Sequence, residues 1–375
     1  MKLQRMNRRA LTLGALAVSG ALALTACGSD DTGTSTGASD GASTAANSSI
    51  KCDDAKGQLL ADGSSAQKNA IDAWVKAFTA ACPGVQINYK GGGSGAGVTA
   101  FTQGTVAFAG SDSALKPEEV TASKSVCTGG TAIDLPAVGG AIALAYNLPG
   151  VDNLVLDAPT LAKIFNSKIK TWDDAAIKAL NPDATLPSTK IQAFHRSEDS
   201  GTTDNLTKYL IATTPENWPY EGGKAWQAEG GQAASGSSGV AAQVKQTEGA
   251  IGYMEQSYAK DLTSVSIDTG ASAPVKPTSD GATKAIAAAQ VVGTGNDYSL
   301  KLDYTTKADG AYPITLVTYE IACDKGNKSD TLPATKAFLR YITSEEGQGI
   351  LSGIDYAPIP ADIIAKVRTT VESLA

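Results

Sequence analysis

Three short segments hold most of the side chains that could do chemistry. Asp62-Gly63-Ser64-Ser65-Ala66 stands between an apolar run and a helix-spaced segment. Its hydroxyls and amide N–H groups therefore face the positive end of a helix dipole. Gly91-Gly92-Gly93-Ser94-Gly95-Ala96-Gly97 again sets a hydroxyl before a helix, among glycines that let a backbone approach closely. His195-Arg196-Ser197-Glu198-Asp199-Ser200-Gly201-Thr202-Thr203 places a guanidinium beside a Ser-Gly-Thr-Thr run that opens the helix around Leu206 to Ile211. Each loop alone reads as an ordinary helix cap. Three of them with an arginine read better as a cradle for an oxyanion, held by charge-assisted hydrogen bonds.

The elements that must position these loops follow from periodicity. Gly57 to Ala61 reads as a short strand, and Ile71, Trp74, Val75 and Phe78 share one face of a helix over Ala66 to Ala80. Pro83-Gly84 ends that helix, Val85 to Tyr89 alternates as a strand, and Val106 to Ala109 is a third strand ending in Gly110-Ser111-Asp112. Strand, loop and helix in this rhythm imply a parallel α/β sheet with the loops at the strand C-termini. Ile133 to Asn147, interrupted by Pro136 and Gly139-Gly140, reads as a strand leaving a first lobe for a second. Thr160 to Leu180 holds two short helices, Ile191 to Phe194 feeds His195-Arg196, and Glu221 to Gly239 is rich enough in glycine and serine to read as a loop. Ala250 to Tyr253 is again a strand. Pro313 to Ala322 returns to the first lobe, and Leu332 to Thr343 and Ile359 to Leu374 close it with helices. A chain of 375 residues exceeds what one core usually absorbs. Two lobes crossed twice by the chain, hinged near Ala137–Gly139 and Tyr312–Ile314, fit both length and pattern.

The N-terminus indicates export. Lys2, Arg5, Arg8 and Arg9 precede an apolar stretch, Ala10 to Leu24, that is too short to span a bilayer comfortably. Leu24-Thr25-Ala26-Cys27 resembles a bacterial lipoprotein box, which implies cleavage before Cys27 and a lipid on it; an ordinary secretory signal is the alternative. Arg8-Arg9 leaves the choice between general secretory and twin-arginine export open. Gly28 to Ser49, nearly all small and polar, reads as a tether. The organisation expected is a signal over 1–26, lipidated cysteine and tether over 27–50, lobe I over 51–137 plus 314–375, and lobe II over 138–313.

Net charge is −7, and no Lys/Arg cluster lies beyond the first nine residues, which disfavours a nucleic-acid partner. Cys52, Cys82, Cys127 and Cys323 lie in the exported part, where disulfides persist. Cys52 precedes the first strand and Cys82 ends the helix returning from it, which favours Cys52–Cys82 and, by elimination, Cys127–Cys323. Their spacing matches no zinc pattern, and there is one histidine.

Rival chemistries are weaker. Gly91-x-Gly93-x-x-Ala96 with Asp112 beyond loosely fits a dinucleotide fingerprint, but an exported chain has little use for one. No Lys-Ser/Thr closes the run as a P-loop needs. His195, Asp199 and Ser200 are too near in one loop to align as a hydrolase triad, and no nucleophile elbow is present. Trp74, Trp172 and Trp226 read as packing residues.

Five ordered blocks resemble the substrate-binding protein of the bacterial high-affinity phosphate ABC importer. They are Gly91–Gly97; Gly110-Ser111-Asp112; Leu161–Phe165 with Lys168-Ile169 and Trp172-Asp173-Asp174; Arg196 with Ser200–Thr203; and Gly249–Tyr253. The resemblance runs from about Gly57 to the C-terminus. It implies a type II periplasmic-binding-protein clamshell that binds monohydrogen phosphate and docks on a membrane permease. It implies phosphate contacts from Ser65, Ala66, Ser94 and Asp112 on one lobe and from Arg196, Ser200, Gly201 and Thr202 on the other. Ser65 stands where the family often has threonine, and Glu198 where it usually has the aspartate that orients the arginine.

Asp112 would set selectivity. A carboxylate only accepts, so it needs a ligand oxygen that still carries a proton; phosphate near neutral pH has one and sulfate does not. A plain turn cap is the alternative role for Asp112. The expectation is a monomeric binding protein on the outer membrane face, without cofactor, metal or catalysis. Binding of sulfate or molybdate, an extracellular phosphatase using Ser94 or Ser200, and an adhesin or sensor built on the same scaffold are the competing functions.

Overall fold

The computed structural model describes residues 50–375. The signal segment, Cys27 and the tether up to Ser49 lie outside the described residues.

The chain opens as a βαβ unit, β1 (Gly57–Gly63), α1 (Lys68–Ala81) and β2 (Val85–Tyr89), continued by α2 (Ser94–Thr102) and β3 (Phe108–Ser111). Ala70, Ile71, Trp74 and Phe78 form the buried stripe of α1, at helical spacing. After α3 (Pro117–Ser123) comes β4 (Ala132–Asn147), a 16-residue strand buried along all but its last residue. Then follow β5 (Val155–Asp157), α4 (Ala158–Phe165), α5 (Ala175–Leu180), β6 (Gln192–Arg196), α6 (Gly201–Thr213), β7 (Gln232–Ala234), α7 (Gly236–Gln246) and β8 (Ala250–Glu255). Short strands β9 (Thr263–Ser264) and β10 (Ser266–Asp268), α8 (Ser279–Ala287) and the pair β11 (Gln290–Val291) and β12 (Leu300–Lys301) lead to β13 (Thr315–Cys323). Helices α9 (Leu332–Ile342), α10 (Glu345–Gly349) and α11 (Ala361–Ser373) end the chain.

One nine-stranded sheet runs through the two lobes in the order β2-β1-β3-β13-β4-β8-β6-β7, with β9 beside β4. β1 is parallel to β2 and β3, and β13 is inserted antiparallel between β3 and β4. Ala132 to Ala141 of β4 pairs with β13, whereas Ile142 to Asn147 pairs with β8. The single strand β4 thus carries the chain from one half to the other. Pro136 does not break it: the register slips between Thr318 and Tyr319 of β13, leaving Ala137 as an extra residue beside the proline. A bulge is where a strand tolerates a residue with no N–H to donate.

Two departures from the sequence reading matter for the site. The run 221–239, read as a loop, contains edge strand β7 and the start of α7, whose Val240 and Val244 are fully buried. The segment α8 to β12, expected with the second lobe, leans on the other half as well: α8 packs on β4 and β13, and Tyr298 N–H donates to Asp134 O at 3.0 Å. Disulfides join Cys52 to Cys82 and Cys127 to Cys323, the pairs favoured from the sequence. Trp74 and Trp172 are buried, with indole N–H groups donating to Gly347 O and Gly249 O. Among the described residues no helix is long and apolar enough to cross a membrane.

Candidate functional site

The loops after β1, β2 and β3 meet the loop after β6 in the cleft between the two halves of the sheet. Asp62 organises the first wall, its Oδ1 accepting from the N–H groups of Gly63 and Gly92, both at 2.8 Å. That bond ties the Ser64–Ala66 loop to the glycine loop. Ser94 begins α2, and its Oγ accepts from Asp112 N and, across the cleft, from Gly201 N, each at 3.1 Å. Ser65 Oγ accepts from Arg196 Nη2 at 2.7 Å and from Ser237 N at 3.0 Å. With two donors on each oxygen, Ser65 and Ser94 keep only their own protons to give, so both hydroxyls are donors toward a ligand.

Asp112 is 3% exposed. Thr318 Oγ1 donates to its Oδ1 at 2.8 Å, and Thr202 Oγ1 to its Oδ2 at 3.1 Å. Burial pushes its carboxyl upward, opposed by hydrogen bonds from Ser64, Thr318 and Thr202 and by the Arg196 charge. With three hydroxyls on it, the carboxylate keeps one of its four acceptor sites for an incoming O–H.

Arg196 forms the other wall. Its side chain is 1% exposed. Nε donates to Glu198 Oε1 at 2.7 Å, Nη2 also reaches that oxygen, and Nη1 donates to Thr202 Oγ1 at 3.2 Å. Burial pushes the Glu198 carboxyl up, but the Arg196 charge and its hydrogen bonds outweigh this and hold it below the usual range. Glu198 thus pairs with the guanidinium, whereas the backbone O of Asp199 accepts from Gly95 N at 2.9 Å. Thr202 Oγ1 accepts from Arg196 and donates to Asp112, so one hydroxyl bridges the cation of one wall to the anion of the other.

Ser200 caps α6, accepting from Thr203 N at 3.3 Å. Gly201 must be glycine: a Cβ there would lie 2.6 Å from Ser94 Oγ and 2.7 Å from Asp112 Cβ. Ala66 N–H is satisfied within its own loop by Ser64 Oγ at 3.0 Å. His195 lies flat on Trp226, ring centroids 4.9 Å apart and planes 4° from parallel, with Nδ1 on the carbonyl of Arg196. Ser200, His195 and Asp199 thus each hold different partners.

Several contributors had no sequence reading of their own. Thr318 sits mid-strand in a buried run and is seen only through register. Tyr253 Oη accepts from Arg196 N at 3.1 Å and pairs with Thr203 Oγ1 at 2.6 Å. The N-terminus of α7 supplies Ser237 N to Ser65 and Gly236 N to Glu198; the Ser235-Gly236-Ser237 run was the available signal. Asn205 Nδ2 clamps the carbonyls of Asp112 and Gly201 at 2.7 and 2.8 Å. Lys224 Nζ also reaches Glu119 at 3.0 Å, and Ser113 Oγ donates to the buried Asp204 at 2.6 Å. Among the described residues no group of three or more His, Cys, Asp or Glu side chains is arranged to hold a metal ion.

A family model described as a PBP superfamily domain matches residues 40–346. The chain is 43% identical to the phosphate-binding protein PstS 3 of Mycobacterium tuberculosis, covering 99% of this chain and 100% of that one. It is 39% identical to PstS 2 of the same organism, over 96% and 97%. Among solved structures, a periplasmic phosphate-binding protein, PfluDING, bound with phosphate, superimposes with a TM-score of 0.67 at 21% identity, over 84% and 93%. A phosphate ABC transporter substrate-binding protein from Clostridium perfringens gives 0.59 at 20% identity, over 81% and 100%. At those identities the structural matches speak to the fold alone, a two-lobe periplasmic-binding-protein fold.

Proposed function

The chain belongs to the PstS family of phosphate-binding proteins, and from that premise we propose that its cleft takes monohydrogen phosphate between Asp112 and Arg196 and hands it to an ABC importer. The observation that carries the reading is the Arg196–Thr202–Asp112 chain, which sets a buried cation and a buried acceptor-only carboxylate on opposite walls of one cleft. Ser65 and Ser94 hydroxyls, Arg196 and the backbone N–H of Thr202 near the head of α6 serve the bare ligand oxygens. The N–H groups of Ala66, Ser200 and Gly201, which donate to Ser64 Oγ, Lys224 O and Ser94 Oγ, turn to the ligand when it enters. Asp112 takes the one that carries a proton. Sulfate would set two unpaired acceptors face to face in a site without water to separate them, at a cost of several kcal/mol.

In this reading the lobes divide at 51–137 plus 314–375 and 138–313, and rocking about β4 and the return near Ile314 opens and closes the site. Residues 1–26 are removed, Cys27 carries lipid, and 27–50 tethers the body to the outer face of the membrane, where the closed form meets the permease as a monomer. No bond is made or broken in the ligand. The disulfides and the tether suit that setting.

Calorimetric titration with phosphate and with sulfate tests the ligand. Wild type should bind phosphate and exclude sulfate, and Asp112→Asn should cut the preference about tenfold or more, since an amide can donate to a bare oxygen. Comparable sulfate binding by wild type, or an unchanged preference in the variant, would sink the role given to Asp112. Turnover of a chromogenic phosphate ester by pure protein would speak for an enzyme instead.

A further inference from the structure

Behind the ligand-facing layer lies a second buried carboxyl. Glu320 of β13 is registered opposite Gly110 of β3 and two residues from Thr318, so Thr318 and Glu320 share the face that meets Asp112. Glu320 is 0% exposed, and neither of its carboxylate oxygens has a hydrogen-bond partner. Gln67, also 0% exposed, faces it, and the Gln67 Oε1 has no partner either.

The orientation of that amide is fixed by Tyr89. The tyrosine has one proton, and it is donated to Ser64 O at 2.8 Å. Tyr89 Oη must then accept, from Gln67 Nε2 at 3.0 Å, which turns Gln67 Oε1 the other way. Gly110 makes the room: a Cβ there would lie 2.1 Å from Gln67 Nε2 and 2.4 Å from Tyr89 Oη. Opposed residues of an antiparallel pair share a face, so Gln67 and Tyr89 stand in the space beside Glu320 that a Gly110 side chain would fill. A carboxylate and an amide oxygen together in a dry space are two acceptors without a donor, an expensive arrangement. One proton on the carboxyl turns them into a hydrogen bond.

We propose that Glu320 is a positioning residue for phosphate binding, a neutral acid that donates to Gln67 Oε1 and so anchors a buried chain, Glu320–Gln67–Tyr89–Ser64. The chain ends on the loop that carries Ser65 and Ala66, and Ser64 in turn donates to Asp112. A neutral Glu320 also keeps a second negative charge away from Asp112. Burial pushes Glu320 up to about 8, with Asp112 adding to the shift; the second N–H of the Gln67 amide opposes it without making a hydrogen bond to either carboxylate oxygen. The titratable groups facing it are Asp112 from the loop after β3 and Tyr89 from β2, the latter pushed well above its usual range by burial and then by Glu320 itself. On its own sheet it meets Gly110 and Leu135, neither of which ionises. As pH rises through about 8, Glu320 loses its proton, the chain loses its donor, and phosphate meets an additional like charge.

The inference rests on phosphate as the ligand, and its test separates the two. Phosphate affinity is measured by calorimetry on purified wild type and Glu320→Gln from about pH 7 to about pH 9.5. The glutamine keeps a donor to Gln67 and cannot ionise, and the ligand's own titration cancels in the ratio. The affinity of Glu320→Gln relative to wild type should rise about tenfold across that range. A constant ratio overturns the proposal. An infrared difference spectrum, wild type minus Glu320→Gln at neutral pH, should contain the carbonyl band of a protonated carboxylic acid, and its absence overturns the proposal whether or not phosphate binds. If neither protein binds phosphate, the ligand assignment fails and the infrared band alone decides the state of Glu320.

Discussion

The two walls of the cleft are built on opposite plans. The wall from β1, α2 and β3 presents Asp112, and behind it Glu320 and, farther along β4, Asp134, pushed up to about 7 mainly by burial. The wall from β6 and the N-termini of α6 and α7 presents a cation and helix dipoles. Its backing is aromatic: Tyr253 packs on Phe165 and Trp226, and Trp226 on His195 and Trp218. Donors serve any tetrahedral oxyanion and an acceptor only a protonated one, so in the proposed site the second wall would supply affinity and the first wall choice. The half that carries Asp112 and Glu320 is also the half that both disulfides brace.

That last contrast gives the largest expected effect. Replacing Cys127 and Cys323 with serine releases a cross-link of sequence separation 196, against 30 for Cys52–Cys82. Loop-closure entropy puts the costs near 5 and 4 kcal/mol. Denaturant unfolding of the two double variants checks both magnitude and order, and a larger loss from the shorter loop would break the account. Next is Arg196→Met, which removes the guanidinium and strands Glu198. Phosphate affinity should fall more than about a hundredfold, as when a buried ion pair loses one partner. Any residual phosphate-over-sulfate preference should survive, because Asp112 is untouched; if the preference vanishes with the affinity, the division of labour between the walls is wrong. Smallest is Glu198→Asp. The shorter side chain keeps the charge and should change phosphate affinity by less than about tenfold. A larger loss would mean that Gly236 N and Arg196 together require the longer reach of glutamate.

The legible parts of the molecule were those with local causes. Ile71, Trp74 and Phe78 mark α1 because a helix that packs on a sheet repeats its apolar residues at its own period. Ser65, Ser94, Asp112, Arg196 and Gly201-Thr202 stood out because each lies where a strand ends or a helix begins. What stayed hidden depends on distant partners. Thr318 and Glu320 sit in a run of nine buried residues, and nothing nearby says that one faces Asp112 and the other Gln67. That follows from the pairing of β13 with β3, more than two hundred residues earlier. Strand β7 and helix α7 escaped because glycine and serine lower both propensities, and packing of Val240 and Val244 overrides them. Pro136 suggested a break that a bulge absorbs.

The placement of β13 also sets the order in which the protein can assemble. The strands β4, β8, β6 and β7 pair through residues 142–255, a nearly contiguous stretch that can find its partners as the chain emerges. The first half begins earlier, yet its sheet lacks the strand between β3 and β4 until Thr315 to Cys323 arrives. Contacts closed over such separations form slowly and leave edges open while they wait. For a chain made from its N-terminus, the wall that carries Asp112 is therefore started first and finished last, and the stretch in between is when β3 and β4 stand unpaired and most in need of protection.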